Sequence, residues 1–170
     1  MNKAIFLDRD GTINEDYGYV YRIEDFKFID GVIDSLKELY DLGYLLIVIS
    51  NQSGIGRGYY SKEDANKLFD YMVDILSDNG IIISKYYYCP HTDEETCECR
   101  KPRLQLFERA IKEFDIDTDN SFAIGDKIRD LSICKTTNVR GILINNKPVD
   151  SDFCCVNNLK EALEYIKEKN

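Results

Sequence analysis

Short apolar runs alternate with amphipathic segments along the chain. Most of the runs have the length of buried strands, and the segments between them carry apolar residues at helical spacing. Strands are predicted over residues 4–7, 45–49, 86–88, 122–124, 142–144 and 153–156. Helices are predicted over residues 31–42, 104–114, 131–136 and 159–166, and one more begins at Ser61.

Capping residues support two of these helices. Asp30 is the expected N-cap of helix 31–42, and Gly43 is the residue expected to end it. Ser61 and Asp64 have the spacing of a capping box. An apolar stripe follows this box at helical spacing, formed by Leu68, Phe69, Met72, Val73 and Leu76.

The alternation of strands and helices predicts an α/β fold of three layers. One parallel sheet is expected in the middle, with helices on both of its faces. The length of 170 residues suits a single domain that spans residues 1–170. Because ligands bind beyond the carboxyl ends of the strands in such sheets, the residues after each strand are the first candidates for a site.

Composition and charge narrow the class of protein. The net charge of −9 argues against nucleic acid as a partner. No apolar run approaches the ~20 residues of a membrane span, and the first run is too short for a signal peptide. We therefore expect a cytoplasmic protein without membrane contacts, whose cysteines are reduced. Nothing in the sequence demands a dimer, so a monomer is expected.

Polar clusters follow four of the predicted strands. Asp8 and Asp10 come directly after the first strand, and side chains two residues apart on a strand point the same way. Such paired carboxylates repel each other unless a proton or a cation intervenes. Asp126 follows the fourth strand, with Asp130 as a further candidate. These side chains could join Asp8 in an oxygen cage suited to Mg²⁺.

Together the clusters suit phosphoryl transfer. Asp8 could attack phosphorus as a carboxylate nucleophile, while Asp10 could protonate the leaving oxygen and then activate water. Ser50 and the N–H group of Asn51 could hold phosphoryl oxygens, and Lys101 would add positive charge. Each cluster alone is also typical of a turn, a helix cap or surface charge. Four of them at strand ends, in this order, favour catalysis.

Three cysteines and the only histidine of the chain form a further cluster. Thiolate and imidazole ligands suit Zn²⁺, and a complete set of four leaves no open position for catalysis. We therefore predict a structural zinc site that fixes residues 92–96 and holds Arg100 and Lys101 towards the phosphate site. Its ligands are Cys89, His91, Cys97 and Cys99. The other cysteines are predicted to be small core residues, namely Cys134, Cys154 and Cys155.

The four strand-end sequences resemble those of the haloacid dehalogenase superfamily of aspartate-nucleophile phosphatases. The matching positions are Asp8-x-Asp10-Gly11-Thr12, Ser50-Asn51, Lys101 and Gly125-Asp126-x-x-x-Asp130, so the resemblance covers roughly residues 3 to 145. It implies a Rossmann-like fold, Mg²⁺ dependence and an aspartyl-phosphate intermediate. The spacings between these positions leave no room for a separate cap domain.

The cysteine cluster, with its Cys-x-Cys-Arg-Lys-Pro sequence, resembles one subgroup of that superfamily, the heptose-bisphosphate phosphatases and histidinol-phosphatases. The subgroup implies that Asp8 is nucleophile and Mg²⁺ ligand, that Asp10 donates a proton and binds Mg²⁺ through its carbonyl, and that Asp126 is the third ligand. The implied substrate contacts are Asp16, Tyr17, Gly18, Tyr19, Ser50, Asn51, Gln52, Ser53, Arg100, Lys101 and Lys127. Arg57, Arg100 and Lys127 are candidates for binding a second phosphate or the sugar.

The resemblance to this subgroup implies removal of the C7 phosphate from D-glycero-D-manno-heptose 1,7-bisphosphate, in the synthesis of precursors for lipopolysaccharide or another surface glycan. Two alternatives remain open, a histidinol-phosphatase and a non-catalytic binding module stabilised by zinc. Only five residues separate His91 from Cys97, and some members of the subgroup carry a longer loop there. The preference for one anomer of the sugar therefore stays open.

Overall fold

The structure, a computed structural model, describes residues 1–145 and 152–170. Within these residues, six strands form one sheet in which every neighbouring pair is parallel. The strands are β1 (Ala4–Leu7), β2 (Leu45–Asn51), β3 (Ile83–Cys89), β4 (Phe122–Gly125), β5 (Arg140–Ile144) and β6 (Cys154–Val156). Their order across the sheet is β3-β2-β1-β4-β5-β6.

Helices cover both faces of this sheet, which confirms the predicted three-layer α/β fold. The α-helices are α1 (Val32–Asp41), α2 (Ser53–Gly56), α3 (Lys62–Asp78), α4 (Gln105–Glu113) and α5 (Leu159–Glu168). Strand β1 shows how the sheet serves two cores. Its residues Ile5 and Leu7 pack with α1, α3 and α5, and Phe6 between them packs with α4 on the other face.

The sheet order places the polar strand ends together. Strands β2 and β4 flank β1, so Asp8, Ser50 and Asp126 reach the same carboxyl edge although they are far apart in sequence. The chain runs outwards in one direction from β1 to β3 and in the other from β4 to β6. The β1–β4 boundary is therefore a topological switch point, where ligands bind in folds of this type.

Two features of the helices differ from expectation. The N-cap of α1 is Gly31, which has a φ of 81° and no side-chain cap, so the prediction of Asp30 was wrong. The chain enters this helix through a left-handed turn, which glycine adopts at no steric cost. The helix predicted over residues 131–136 is a 3-10 helix that begins earlier, at Ile128, and ends at Lys135, with Thr136 as its C-cap. The capping box is confirmed, with Ser61 and Asp64 each accepting a backbone N–H at 3.1 Å.

Strand β3 is longer than the predicted residues 86–88 and extends from Ile83 to Cys89. Tyr86 and Tyr88 stack on Phe69 of α3, with ring centroids 4.5 and 5.5 Å apart, while Tyr87 faces the opposite layer. The sequence prediction had included only these three tyrosines, because the polar residues Ser84 and Lys85 precede them. Among the described residues, no helix has the length and apolar character needed to cross a membrane.

Candidate active site

Lys101 lies buried at the centre of the carboxyl edge. Its Nζ lies 3.0 Å from Oδ1 of Asp8 and 2.7 Å from Oδ1 of Asp130, and it donates to the carbonyl of Ile49 at 2.6 Å. Burial disfavours the ammonium, but the two carboxylates outweigh it and raise the pKa of Lys101. Asn51 fixes the backbone of Lys101 from both sides, through bonds of 2.9 and 3.2 Å.

Three carboxylates meet beside this lysine. Asp8, Asp126 and Asp130 each offer an oxygen, and these atoms lie within 4.8 Å of one another. Burial, with the charge of Asp130, raises the pKa of Asp8 well above its ordinary value and raises that of Asp126 as well. Oδ1 of Asp126 is buried and has no hydrogen-bond partner in residues 1–145 or 152–170. This set of hard oxygen donors fits Mg²⁺.

Asp130 is held differently from the other two. One of its oxygens contacts Lys101, and the other accepts the backbone N–H of Lys127 at 3.0 Å. This arrangement favours a role for Asp130 in holding the lysine in place. A Cβ at Gly125 would lie 2.3 Å from the Cβ of Asp130, so the position before Asp126 must be glycine. Gly11, at φ 84°, meets the same limit against Asp126.

The Asp10 carboxylate is enclosed by hydrogen-bond donors. Oδ1 accepts from Nε and Nη2 of Arg9 at 3.1 and 3.0 Å and from Asn14 at 3.0 Å, and Oδ2 accepts from Gln52 at 3.1 Å. Arg9 is fully buried, and its guanidinium lies 4.6 Å from the ring centroid of Phe69. The carboxylate of Asp10 is therefore fixed in one orientation at the end of β1.

These groups form the floor of an open cavity of about 340 Å³. Most of the predicted substrate residues line it, namely Asp16, Gly18, Tyr19, Asn51, Gln52, Ser53, Arg57, Arg100, Lys101 and Lys127. Tyr17 is 65% exposed, and Ser50 is buried under the floor. The sequence did not indicate Tyr60, Asp93 or Arg129, which line the cavity too.

Cations surround the rim of this cavity. Arg57, Arg129 and Lys127 are exposed there, and Nη2 of Arg100 lies 2.6 Å from Asp93. With carboxylates on the floor and arginines at the rim, the cavity is suited to an anion that carries more than one charged group.

The predicted zinc ligands are brought together next to the cavity. Sγ or Nδ1 atoms of Cys89, His91, Cys97 and Cys99 all lie within 4.8 Å of one another. Nδ1 of His91 is 3.3 Å from the sulfurs of both Cys89 and Cys99. Although burial acts against it, backbone N–H groups of Arg100 and Cys99 lower the pKa of Cys97 to about 6. A thiolate with this donor set fits Zn²⁺.

The other cysteines follow the prediction only in part. Cys134 and Cys154 are partly buried, whereas Cys155 is exposed, so its prediction as a core residue was wrong. Cys155 lies on β6 at the edge of the sheet, where one face of the short strand meets solvent.

Comparison with known proteins agrees with this geometry. The family model described as polynucleotide kinase 3 phosphatase matches residues 3–158. The D-glycero-beta-D-manno-heptose-1,7-bisphosphate 7-phosphatase of Pasteurella multocida is 44% identical over 176 residues, covering 99% of this chain and 92% of the relative. The chain belongs to the heptose-bisphosphate phosphatase family of the haloacid dehalogenase superfamily.

Relatives in this family differ in the anomer that their names specify. The D-glycero-alpha-D-manno-heptose-1,7-bisphosphate 7-phosphatase of Campylobacter jejuni is 45% identical over 170 residues and covers 99% of this chain and 98% of the relative. A crystal structure of the D,D-heptose 1,7-bisphosphate phosphatase from B. bronchiseptica, complexed with magnesium and phosphate, superposes with a TM-score of 0.88 at 24% identity. The superposition covers 99% of both chains and shows that they share a fold.

The raised pKa values of Asp8 and Asp126 predict that stabilisation of the protein by Mg²⁺ depends on pH. Without metal, the two carboxyl groups of the folded protein keep protons at pH values where the unfolded chain has released them. Their contribution to stability is therefore full at low pH and is lost as the pH rises through the pKa values of the folded state. Mg²⁺ must displace those protons when it binds. We therefore expect the rise in Tm caused by Mg²⁺ to be larger near pH 7.5 than near pH 5.

Differential scanning fluorimetry with and without Mg²⁺ measures this difference. The Asp126→Asn variant is the control, because it loses one of the two carboxylates and should lose most of the Mg²⁺ response. An equal rise in Tm at both pH values in the unchanged protein would contradict the assignment of these carboxylates as metal ligands.

Proposed function

We propose that the protein is a Mg²⁺-dependent phosphatase that removes the C7 phosphate of D-glycero-D-manno-heptose 1,7-bisphosphate. The observation that carries this proposal is the buried cluster of Lys101 between Asp8 and Asp130, with Asp126 beside it and Asp10 fixed at the cavity floor. Names of relatives that match nearly the full length of the chain support the choice of substrate. The predicted aspartyl-phosphate intermediate is part of the proposal.

In the first step, a carboxylate oxygen of Asp8 forms a bond to phosphorus, and the bond from phosphorus to the C7 oxygen breaks. Lys101 contacts Oδ1 of Asp8 and so orients the carboxylate for this attack. Asp10 gives a proton to the departing C7 oxygen. In the second step Asp10 takes a proton from water as the water oxygen bonds to phosphorus. The Asp8–phosphorus bond then breaks and phosphate is released.

Positive charge and donors at the cavity floor would hold the transferring group. Lys101, the Ser50 hydroxyl and the N–H group of Asn51 are the candidates for contacts with phosphoryl oxygens. Asp8, Asp126 and the carbonyl of Asp10 would hold Mg²⁺, which when bound supplies charge that offsets repulsion between the carboxylates and the phosphate. Arg57, Arg100 and Lys127 at the rim would bind the sugar and its second phosphate.

The cysteine cluster is proposed to hold a structural Zn²⁺. Cys99 directly precedes Arg100 and Lys101, so fixing Cys99 also fixes the backbone that carries both cations. Arg103 donates to the sulfur of Cys97 at 3.5 Å, which adds positive charge next to the thiolate. Loss of this site would therefore affect stability first and substrate contacts second.

We further propose that residues 1–170 form a single phosphatase domain that acts as a monomer in the cytoplasm. Hydrophobic clusters on both faces of one sheet and thiols suited to a reducing compartment support this. The net charge of −9 speaks against nucleic acid as a partner. Light scattering after gel filtration measures the mass of the protein in solution. The mass of a dimer would contradict the proposed monomer.

A comparison of substrates tests the proposed function. Initial rates of phosphate release should be measured with both anomers of the heptose bisphosphate and with histidinol phosphate, all with Mg²⁺. We expect one or both anomers to give kcat/KM values far above that for histidinol phosphate. Faster turnover of histidinol phosphate would make the protein a histidinol-phosphatase, and no release from any of the three would favour a non-catalytic module.

Asp10→Asn is expected to lower kcat by on the order of 10²- to 10⁴-fold, because the amide can neither give nor take the proton that each step requires. Steady-state phosphate release measures the effect. Asp78→Asn is the matched control, since this aspartate is exposed at the end of α3. If kcat of the Asp10 variant stays within about twofold of the control, the acid–base assignment is wrong.

A further inference from the structure

A buried amide joins two residues of the proposed reaction. Gln52 is 2% exposed, and its Nε2 donates to Oδ2 of Asp10 at 3.1 Å and to Oγ of Ser50 at 2.8 Å. On its other side, Oε1 of Gln52 accepts the hydroxyl of Tyr60 at 2.6 Å. One side chain thus connects the proposed acid, a proposed phosphate contact and a tyrosine outside the strand ends.

Tyr60 anchors the end of the amide that faces away from Asp10. A side-chain amide has an acceptor oxygen at one end and two N–H donors at the other, and its two orientations differ by half a turn. Burial raises the pKa of Tyr60, so the hydroxyl keeps its proton and donates to Oε1. In the opposite orientation Oε1 would face the acceptor oxygens of Asp10. The Asp10 carboxylate therefore sets the orientation in which the N–H groups of Gln52 are used, and the Tyr60 hydroxyl holds the amide there by donating to Oε1.

This orientation has a consequence for Ser50. A serine hydroxyl has one proton to donate and can accept from other groups. Because Oγ of Ser50 accepts from Gln52, its own proton is free to be donated. It is directed at the carbonyl of Asn51 at 3.5 Å, a long hydrogen bond that a closer phosphoryl oxygen would replace. Oδ1 of Asp10 is held by Arg9 and Asn14. Oδ2 accepts from Arg9 at 3.2 Å and from Gln52 at 3.1 Å, so Gln52 adds a bond from another segment of the chain and helps to orient that carboxylate.

Tyr60 is itself firmly placed. It is 7% exposed, and its ring stacks on Tyr21 with centroids 4.9 Å apart and an interplanar angle of 9°. Gly54 of α2 leaves the space that the ring fills, since a Cβ there would lie 2.1 Å from Cε1 of Tyr60. The next residue, Ser61, caps α3. The hydroxyl is thus anchored by elements that carry none of the proposed catalytic residues.

We propose that Tyr60 is a positioning residue of the phosphatase, which acts through Gln52 to orient both Asp10 and Ser50. This inference rests on the proposed phosphatase function. It predicts that loss of the Tyr60 hydroxyl slows the reaction of bound substrate without weakening substrate binding, because this hydroxyl bonds to Gln52 and is not among the proposed contacts with the sugar or its phosphates.

The test compares Tyr60→Phe with Tyr59→Phe. Both changes remove only a hydroxyl, and Tyr59 is 55% exposed and packs edge-on against Tyr19. We expect Tyr60→Phe to lower kcat by about 10- to 100-fold with KM changed by less than about twofold, as a misplaced group does. Tyr59→Phe should leave kcat within about twofold of the unchanged protein. Rates are measured well below the Tm of each variant, where a loss of stability alone leaves kcat unchanged.

A double-mutant cycle shows whether the effect passes through Gln52. We expect Gln52→Ala to reduce kcat at least as much as Tyr60→Phe, and the double variant to resemble Gln52→Ala alone, because residues that act as one unit are not additive. A normal kcat in Tyr60→Phe, a change confined to KM, or additive losses in the cycle would each overturn the inference. If the unchanged protein released no phosphate, the proposed function would fail as well, so the two failures are distinguishable.

Discussion

Asp8→Asn is expected to reduce phosphate release by on the order of 10⁴-fold or more while the protein stays folded. The amide is a poor nucleophile and cannot form the proposed bond to phosphorus. The fold should tolerate the change because Lys101 keeps its contact with Asp130 at 2.7 Å. Since burial and neighbouring carboxylates raise the pKa of Asp8, removing its charge should leave the metal-free Tm unchanged or higher near neutral pH.

Phosphate release and thermal unfolding of the same preparation check both parts of this prediction. Asp74→Asn, an exposed change of the same type on α3, is the matched control. A variant of Asp8 that keeps more than about a tenth of the activity would contradict the nucleophile assignment. A Tm far below that of the control would show that the carboxylate is needed for folding.

Cys97→Ser is expected to lose bound zinc and to lower Tm by about 10 °C. Structural zinc contributes its binding free energy to folding, and loss of about 3 kcal/mol is enough for such a shift in a chain of this size. The effect should reach the active site, since the same loop carries Arg100 and Lys101 directly after Cys99. We therefore expect KM for the sugar bisphosphate to rise as well.

Metal analysis by mass spectrometry, thermal unfolding and steady-state kinetics measure these three effects. Cys155→Ser is the control, because Cys155 is exposed and lies outside the cluster. A Cys97 variant with full zinc content and the Tm of the control would show that the cluster is not a zinc site that stabilises the loop.

The sequence predicted which strand ends meet at one edge of the sheet, because each candidate residue directly follows its strand. Asp8 and Asp126 each follow an apolar run, and parallel pairing of β1 with β4 necessarily brings such ends together. The cysteine cluster was equally evident, because its four ligands lie within one short segment. Polar residues at strand ends therefore indicate which side chains meet once the fold class is known.

Other features depend on tertiary contacts that no local pattern contains. Arg9 is a charged residue between two aspartates, and only the fold shows that it is buried against Phe69. Tyr60 precedes a helix cap, and its bond to Gln52 depends on how α2 turns away from the sheet. Cys155 was predicted to be buried from its apolar neighbours, but the edge position of β6 decides its exposure.

A rapid-quench experiment tests the central claim most directly. Excess protein is mixed with heptose bisphosphate that carries radioactive phosphorus at C7, quenched in acid within one turnover, and digested to map the label. We predict that label is first bound to the peptide containing Asp8 and then passes to free phosphate as the reaction proceeds. If free phosphate forms at its full rate while no label is ever bound to the protein, water attacks the substrate directly, and the proposed role of Asp8 is wrong.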